Sequence, residues 1–169
     1  MKKSIILVGM ILLSFVFMAS VSAAYKQTIV KELECGGFPP HAYDTVFEFS
    51  QTPRPSGDGT LTVSVRGDYN WEGAEDIDVI VEGTSLGKWL PGEQCSSGLL
   101  TKTYTVTNNQ LVQWSADGKI EVTLVQGWDV NCQAVCSNNV NIVTLDYPTT
   151  SSSLPMQQFL KILGFGKKE

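Results

Sequence analysis

Histidine and basic side chains are scarce in this 169-residue sequence. It has a single histidine, His41, and its 12 lysines and arginines are outnumbered by 17 aspartates and glutamates, for a net charge of −5. One histidine cannot supply an H-E-x-x-H metal helix, and the sequence has no G-x-S-x-G nucleophile elbow. Nucleic-acid binding draws on clustered Lys and Arg that neutralise phosphates, and the acidic balance argues against it. We therefore expect a non-catalytic protein that does not bind nucleic acid.

The first residues also lack an apolar run long enough to cross a bilayer comfortably. They read MKKSIILVGMILLSFVFMASVSAAY, with two lysines, an apolar run from Ile5 to Met18 and small residues at 21–24. This order is typical of a secretory signal peptide. We expect residues 1–24 to be a signal peptide and the mature chain to be soluble and secreted, either extracellular or held at the cell surface.

Four cysteines follow that segment, at Cys35, Cys95, Cys132 and Cys136. An even number in an exported chain predicts two disulfides, whereas a zinc site would need closer pairs and usually histidine. Two arrangements stay open. In the first, Cys95 pairs with Cys132 or Cys136, and Cys35 pairs with the remaining one of these two. In the second, Cys132 pairs with Cys136 and Cys35 pairs with Cys95. The first is favoured, because a Cys132–Cys136 ring would constrain little chain entropy.

Apolar and polar residues alternate through most of the chain from Lys26 to Tyr147. The runs TLTVSVRG and KIEVTLVQG are examples, and Gly, Asn, Asp and Pro separate such runs. Strict alternation predicts half-buried antiparallel strands. The predicted fold is an all-β antiparallel sandwich of jelly-roll type over residues 25–147, with one helical turn after a cap at Asn108 or Asn109. The eight predicted strands are 26–34, 44–51, 59–66, 76–82, 85–90, 101–107, 118–126 and 139–147.

Antiparallel strands place successive connections at opposite ends of a sandwich. Loops 35–43, 67–75, 91–100 and 127–138 then share one end, which we call the upper end. Loops 52–58, 83–84 and 108–117 share the lower end. All four cysteines fall in upper loops, which supports both the strand assignment and the disulfides.

Residues 148–169 differ in composition from the rest of the chain. The linker PTTSSS leads into a short apolar stretch that ends in glycines and lysines. The stretch is too short and too interrupted to cross a bilayer. One interpretation is a short helix-like amphipathic tail that touches a membrane surface or a partner protein, and the other is a tail packed on the sandwich.

The stretch RGDYNWEGAEDIDVIVEG, residues 66–83, raises the question of calcium. Asp68, Asn70 and Glu72 alternate and Gly73 follows, as in the first half of a D-x-[DN]-x-[DN]-G loop. Position twelve of that loop would be Val79, which excludes an EF-hand. Calcium is the one cofactor that we consider, and a polar turn that needs Asp, Asn and Gly for its conformation is the alternative. The candidate metal ligands are Asp68, Asn70, Glu72, Glu75 and Asp76.

Aromatic rings are the second candidate binding feature. Tyr69, Trp71 and Trp128 fall in upper loops, and His41 and Tyr43 belong to the same end. Exposed rings in such loops stack on sugar rings or fill a partner's pocket. The candidate ligand-binding residues are therefore Tyr69, Trp71 and Trp128, with packing in the core as the alternative for both tryptophans.

Three runs of the sequence carry a resemblance to a known class. They are GTLTVSVRGDYNWEGAEDIDVIVEGTSLGKWLPGEQC, GKIEVTLVQGWDVN and NNVNIVTLDY, within residues 59–147. A strand, a D-x-[DN] loop and a VxVxGxxLG hairpin in this order resemble secreted jelly-roll modules of the carbohydrate-binding and adhesion type. The resemblance implies a sandwich with a binding role, in which Asp68 and Asn70 belong to the metal or ligand loop.

Two functions remain for such a chain. The first is a secreted or cell-surface binding module that recognises a glycan or protein through the loops at one end, assisted by calcium. The second is a structural subunit of a surface layer or filament that docks through its C-terminal tail.

Overall fold

The computed structural model describes residues 23–36, 41–69, 74–94, 98–130, 136 and 139–150. All of these except Ala23 belong to one compact unit, Ala24–Thr150. Most of the predicted signal peptide and the segment after Thr150 lie outside the described residues. No helix in the described part of the chain is long and apolar enough to span a membrane.

Eight strands of five residues or more dominate the described residues, and all eight predicted strands are confirmed to within three residues at either end. The long strands are β1 (Ala23–Glu32), β4 (Thr45–Ser50), β5 (Gly59–Arg66), β7 (Ile77–Val81), β8 (Thr84–Trp89), β10 (Leu100–Val106), β11 (Lys119–Gln126) and β12 (Val140–Thr149). Four two-residue strands lie between them: β2 (Cys35–Gly36), β3 (His41–Ala42), β6 (Asp68–Tyr69) and β9 (Glu93–Gln94).

The long strands form two four-stranded sheets. The first sheet has the order β1-β12-β5-β10, and the second has the order β4-β11-β7-β8. Every connection between consecutive long strands passes from one sheet to the other, except the β7–β8 hairpin. This alternation is the double Greek key of a jelly roll, so the predicted jelly-roll sandwich is confirmed.

Strand β1 forms one edge of the first sheet and runs antiparallel to β12. Lys26 Nζ lies 2.9 Å from Asp146 Oδ2, and the hydroxyls of Thr28 and Thr144 are 2.8 Å apart. These side-chain pairs fix the register of β1 at 26 with 146 and 28 with 144. Strand β1 begins at Ala23, just before the predicted start of the mature chain.

The core lies between the two sheets and is built by the predicted alternation. Leu61, Val63 and Val65 of β5 are buried, while the residues between them are partly exposed. Strand β11 alternates in the same way, with buried positions at 120, 122, 124 and 126. The period of two therefore gives β5 and β11 one face in the core and one face toward solvent.

Helix α1 (Asn108–Trp114) covers the lower end. Its N-cap is Thr107, one residue before the predicted cap, because Thr107 and Gln110 form a capping box. The Gln110 side chain accepts a hydrogen bond from Thr107 N at 3.0 Å. Leu111 and Trp114 are the buried residues of the helix, so Trp114 belongs to the core.

Candidate functional site: the upper rim

The four predicted upper loops are hydrogen-bonded to one another. Ala42 N donates to Val130 O at 2.8 Å, which joins the first and fourth loops, and β6 pairs with β9 to join the second and third. Asp129 N donates to Ala74 O at 3.0 Å and so joins the fourth loop to the second. The prediction that these loops share one end is therefore confirmed. We call their described residues the upper rim: 35–36, 41–43, 67–69, 74–75, 91–94, 98–100, 127–130 and 136.

Glycine at position 127 allows the fourth loop to lie directly on the second. Gly127 N donates to Asp76 O at 2.7 Å. A Cβ atom at this position would overlap the carbonyl group of Ala74, far inside van der Waals contact. The backbone that carries Trp128 is thus held against residues 74–76 by two hydrogen bonds and a contact that only glycine permits.

A buried polar network supports the rim from below. The Tyr69 hydroxyl donates to Gln126 Oε1 at 3.1 Å and also approaches Asn141 Oδ1 at 3.4 Å. Asn141 Nδ2 donates to Thr45 Oγ1 at 3.1 Å, and Gln126 N donates to Asp44 Oδ1 at 3.0 Å. Because Asn141 belongs to the first sheet and Gln126 to the second, the network ties the two sheets together beneath the rim.

Tyr69 does not lie on the surface of the rim, which corrects its predicted contact with a ligand. Its side chain is fully buried in the core, and burial raises the pKa of its phenol. The ring packs between the sheets while the hydroxyl enters the polar network. Tyr69 is therefore a structural residue of the site.

The described acidic residues of this stretch lie in different environments. Asp68 and Glu75 are 5% and 4% exposed, whereas Asp76 forms an ion pair with Lys88, with 3.0 Å between Oδ2 and Nζ. The predicted ligands Asn70 and Glu72 lie outside the described residues. Among the residues described, no group of three or more His, Cys, Asp or Glu side chains is placed to hold a metal. Calcium binding therefore stays a prediction.

Two aromatic side chains project from the rim into solvent. Trp128 is 66% exposed and Tyr43 is 54% exposed. Both lie within two residues of the hydrogen bond between Ala42 and Val130. Burying such large apolar surfaces in the folded core would be favourable, so their exposure on ordered loops marks a surface suited to binding. Trp71, the other predicted ring, lies outside the described residues.

The upper rim also contains two of the four cysteines. Cys35 and Cys136 are disulfide-bonded, and the residues described contain no free cysteine. Cys95 and Cys132 lie outside the described residues, so the pairing stays a prediction.

Sequence reasoning missed the residues of the polar network. Gln126 and Asn141 each occupy an inward position next to an apolar inward residue of the same strand, the buried Leu124 and Val143. A polar side chain at the end of an apolar inward series is the signal that could have identified them, since a buried amide needs hydrogen-bond partners.

Comparisons with known proteins leave the function open. No family model matches the chain, and no curated protein matches it. Among solved structures, the chain is similar to dimeric latent PorU from Porphyromonas gingivalis, with a TM-score of 0.42 and 10% sequence identity. The match covers 79% of this chain and 14% of that protein. A likeness at this level carries no argument about function.

Proposed function

We propose that this protein is an exported, non-catalytic binding module that recognises a glycan at the upper rim. The observation that carries the proposal is the exposure of Trp128, 66%, on a loop that hydrogen bonds hold in place. A sugar ring presents an apolar C–H face that stacks on an indole ring. Because the backbone that carries the indole is already held, binding orders less of the chain and loses less entropy.

Polar groups beside the rings suit the hydroxyls of a sugar. Asp129 follows Trp128 directly, and Asp44 follows Tyr43. Carboxylates accept charge-assisted hydrogen bonds from hydroxyl groups. The carboxylates also disfavour anionic ligands, so a neutral glycan is the class that the rim suits best. A protein partner that fills the space around Trp128 with an apolar or basic side chain is the second candidate.

Calcium remains part of the proposal as a device that orders the rim. Asp68 and Glu75 flank the stretch 70–73, and both are buried rather than in open solvent. A hard cation that gathers oxygens from Asp68, Glu75 and this stretch would join the two described parts of the second loop.

Substitution of Trp128 tests the glycan proposal. We expect the mature protein to bind members of a panel of neutral glycans in isothermal titration, and Trp128→Ala to weaken binding at least about tenfold, a loss of about 1.4 kcal/mol. The matched control is Val112→Ala on α1, since Val112 is also exposed, at 40%, but lies at the lower end. Equal affinities for Trp128→Ala and the unsubstituted protein, or no binding to any glycan of the panel, would overturn the proposal.

A further inference from the structure

Strand β1 presents the longest open edge of the two sheets. It has 10 residues, whereas the other edge strands, β10, β4 and β8, have 7, 6 and 6. Among the described residues β1 is hydrogen-bonded to β12 on one side, and over residues 25–32 no strand lies on its other side. Backbone N–H and C=O groups along such an edge can pair with a further strand.

The rest of the sandwich holds β1 in place for pairing. The rings of Tyr25 and Tyr147 lie 4.9 Å apart between centroids, and Ile29 packs against the core. The side chains of Lys26 and Thr28 bond to β12. Because these contacts already fix the strand in an extended conformation, pairing at its open edge orders little additional chain.

The charges of β1 are arranged symmetrically about Ile29. Lys26 lies three residues before Ile29 and Glu32 lies three residues after it, and both residues are exposed. In an antiparallel pair of two β1 strands with a twofold axis at Ile29, each residue lies opposite the one at the same distance beyond the axis. Lys26 of each copy then lies opposite Glu32 of the other, so one cross-strand ion pair forms at either end.

We propose that β1 of one copy pairs with β1 of a second copy in this register and joins their first sheets into one continuous sheet. Lys26 can bind Glu32 of the other copy and keep its ion pair with Asp146, because an ammonium group has three donors. Thr28 lies opposite Val30 in this register. The resulting β-branched pair covers Val30, which is 59% exposed in the single copy.

The position of the charges selects both the register and the partner. Moving the axis by one residue in either direction sets an uncharged residue of β1 opposite Glu32 and separates it from Lys26. In the proposed register Lys31 lies opposite the neutral Gln27, so no like charges meet. An unrelated peptide has no reason to carry opposite charges at this spacing, whereas a second copy carries them by identity. The occupant of the edge is therefore a second copy of this chain.

The pairing directs the two upper rims to opposite ends. Antiparallel strands run in opposite directions, and β1 leads into the first upper loop in each copy. A dimer therefore presents one rim, with its exposed Trp128, at each end. That such a dimer bridges two glycan chains rests on the proposed function, but the pairing itself does not, because Trp128 is not part of β1.

Exchanging the charges of β1 tests the pairing. The mature chain, residues 25–169, is compared with two variants by sedimentation over a range of concentrations. We expect the unsubstituted chain to form dimers as the concentration rises, and to form fewer at high salt, since exposed charges are screened. Lys26→Glu sets glutamates opposite each other at both ends, and Glu32→Lys sets lysines opposite each other. Each variant alone should therefore dimerise at least about tenfold more weakly.

A mixture of the two variants separates loss of pairing from loss of folding. In a dimer with one copy of each variant, a lysine again lies opposite a glutamate at both ends, so mixing should restore dimers. The control is Glu121→Lys, which makes the same change of charge at an exposed position of β11, inside the second sheet, and it should dimerise like the unsubstituted chain. A chain that stays monomeric at every concentration would overturn the proposal. So would a single variant of β1 that dimerises as strongly as the unsubstituted chain, or a mixture that does not restore dimers.

Discussion

Replacing Tyr69 by Phe removes one oxygen atom from the buried network and leaves the packing of the ring in place. The lost hydroxyl donates to Gln126 Oε1 at 3.1 Å and approaches Asn141 Oδ1 at 3.4 Å. A hydroxyl has one proton, so the shorter contact is the main hydrogen bond and the longer one is secondary. The substitution therefore tests whether the network holds the two sheets together beneath the rim.

The expected loss of stability follows from the burial of the Tyr69 hydroxyl. A buried acceptor that loses its donor costs about 1–3 kcal/mol, whereas a hydrogen bond that water can replace costs less. We expect the free energy of unfolding to fall by about 1–2 kcal/mol, with a decrease in Tm of about 3–8 °C for a unit of this size. The control is Tyr25→Phe, since Tyr25 is half-buried on β1 and its hydroxyl donates to Gln27 Oε1, and we expect it to cost under about 1 kcal/mol.

Denaturant unfolding of the oxidised protein measures both variants. The midpoint should fall for Tyr69→Phe while the slope m stays constant, because the surface exposed on unfolding is unchanged. In the double variant Tyr69→Phe/Gln126→Leu, the cost should be smaller than the sum of the single costs, since both partners are removed together. If the free energy of unfolding of Tyr69→Phe lies within about 0.3 kcal/mol of that of the unsubstituted protein, the network does not hold the two sheets together.

The remaining predictions concern the rim, alkaline pH and calcium. Gly127→Ala places a methyl group against the Ala74 carbonyl. We expect the free energy of unfolding, measured with denaturant, to fall by about 1–3 kcal/mol and glycan binding to weaken. Unchanged values would contradict the close approach of the two loops. Burial raises the pKa of Tyr69, and burial followed by the charge of Asp78 raises that of Tyr104 to about 12. The folded state keeps these two phenols protonated at pH values above 10.0, where the unfolded chain loses the protons. The denaturant midpoint should therefore stay constant up to about pH 10 and fall as the pH rises further. A midpoint that rises above pH 10 would contradict the burial of these phenols. Calcium at ~100 times its dissociation constant should add about 2.7 kcal/mol and raise Tm, an effect that chelator and Asp68→Ala abolish; no rise would identify the stretch as a polar turn.

The strands could be predicted from the sequence because their signal is local. Alternation within KIEVTLVQ, for example, fixes β11 and its buried face without reference to any other part of the chain. The start of β1 could not be predicted in this way, since Ala23 and Ala24 carry no alternating pattern and join the strand where β1 runs alongside β12. The cap of α1 was misplaced by one residue because the asparagines after Thr107 are themselves good caps. Only the spacing to Gln110 distinguishes Thr107.

The site was harder to predict, because whether a loop residue is exposed depends on long-range contacts. Trp128 and Tyr69 both stand next to aspartates in polar stretches, yet Trp128 is 66% exposed and Tyr69 is fully buried. The difference comes from residues more than fifty positions away, since Gln126 and Asn141 offer Tyr69 the hydrogen-bond partners that a buried phenol needs. No pattern around position 69 contains that information.

Asp44 connects the surface of the rim to the buried network. Its Oδ1 accepts a hydrogen bond from Gln126 N at 3.0 Å, and the side chain of Gln126 accepts the hydrogen bond of the Tyr69 hydroxyl through Oε1. Tyr43, beside Asp44, is one of the two exposed rings of the rim. A sugar hydroxyl can donate to the second oxygen of Asp44 while Oδ1 keeps its hydrogen bond, because a carboxylate accepts from several donors at once. The network that joins the two sheets therefore also fixes a carboxylate beside an exposed ring, so weakening the network should weaken glycan binding as well as folding.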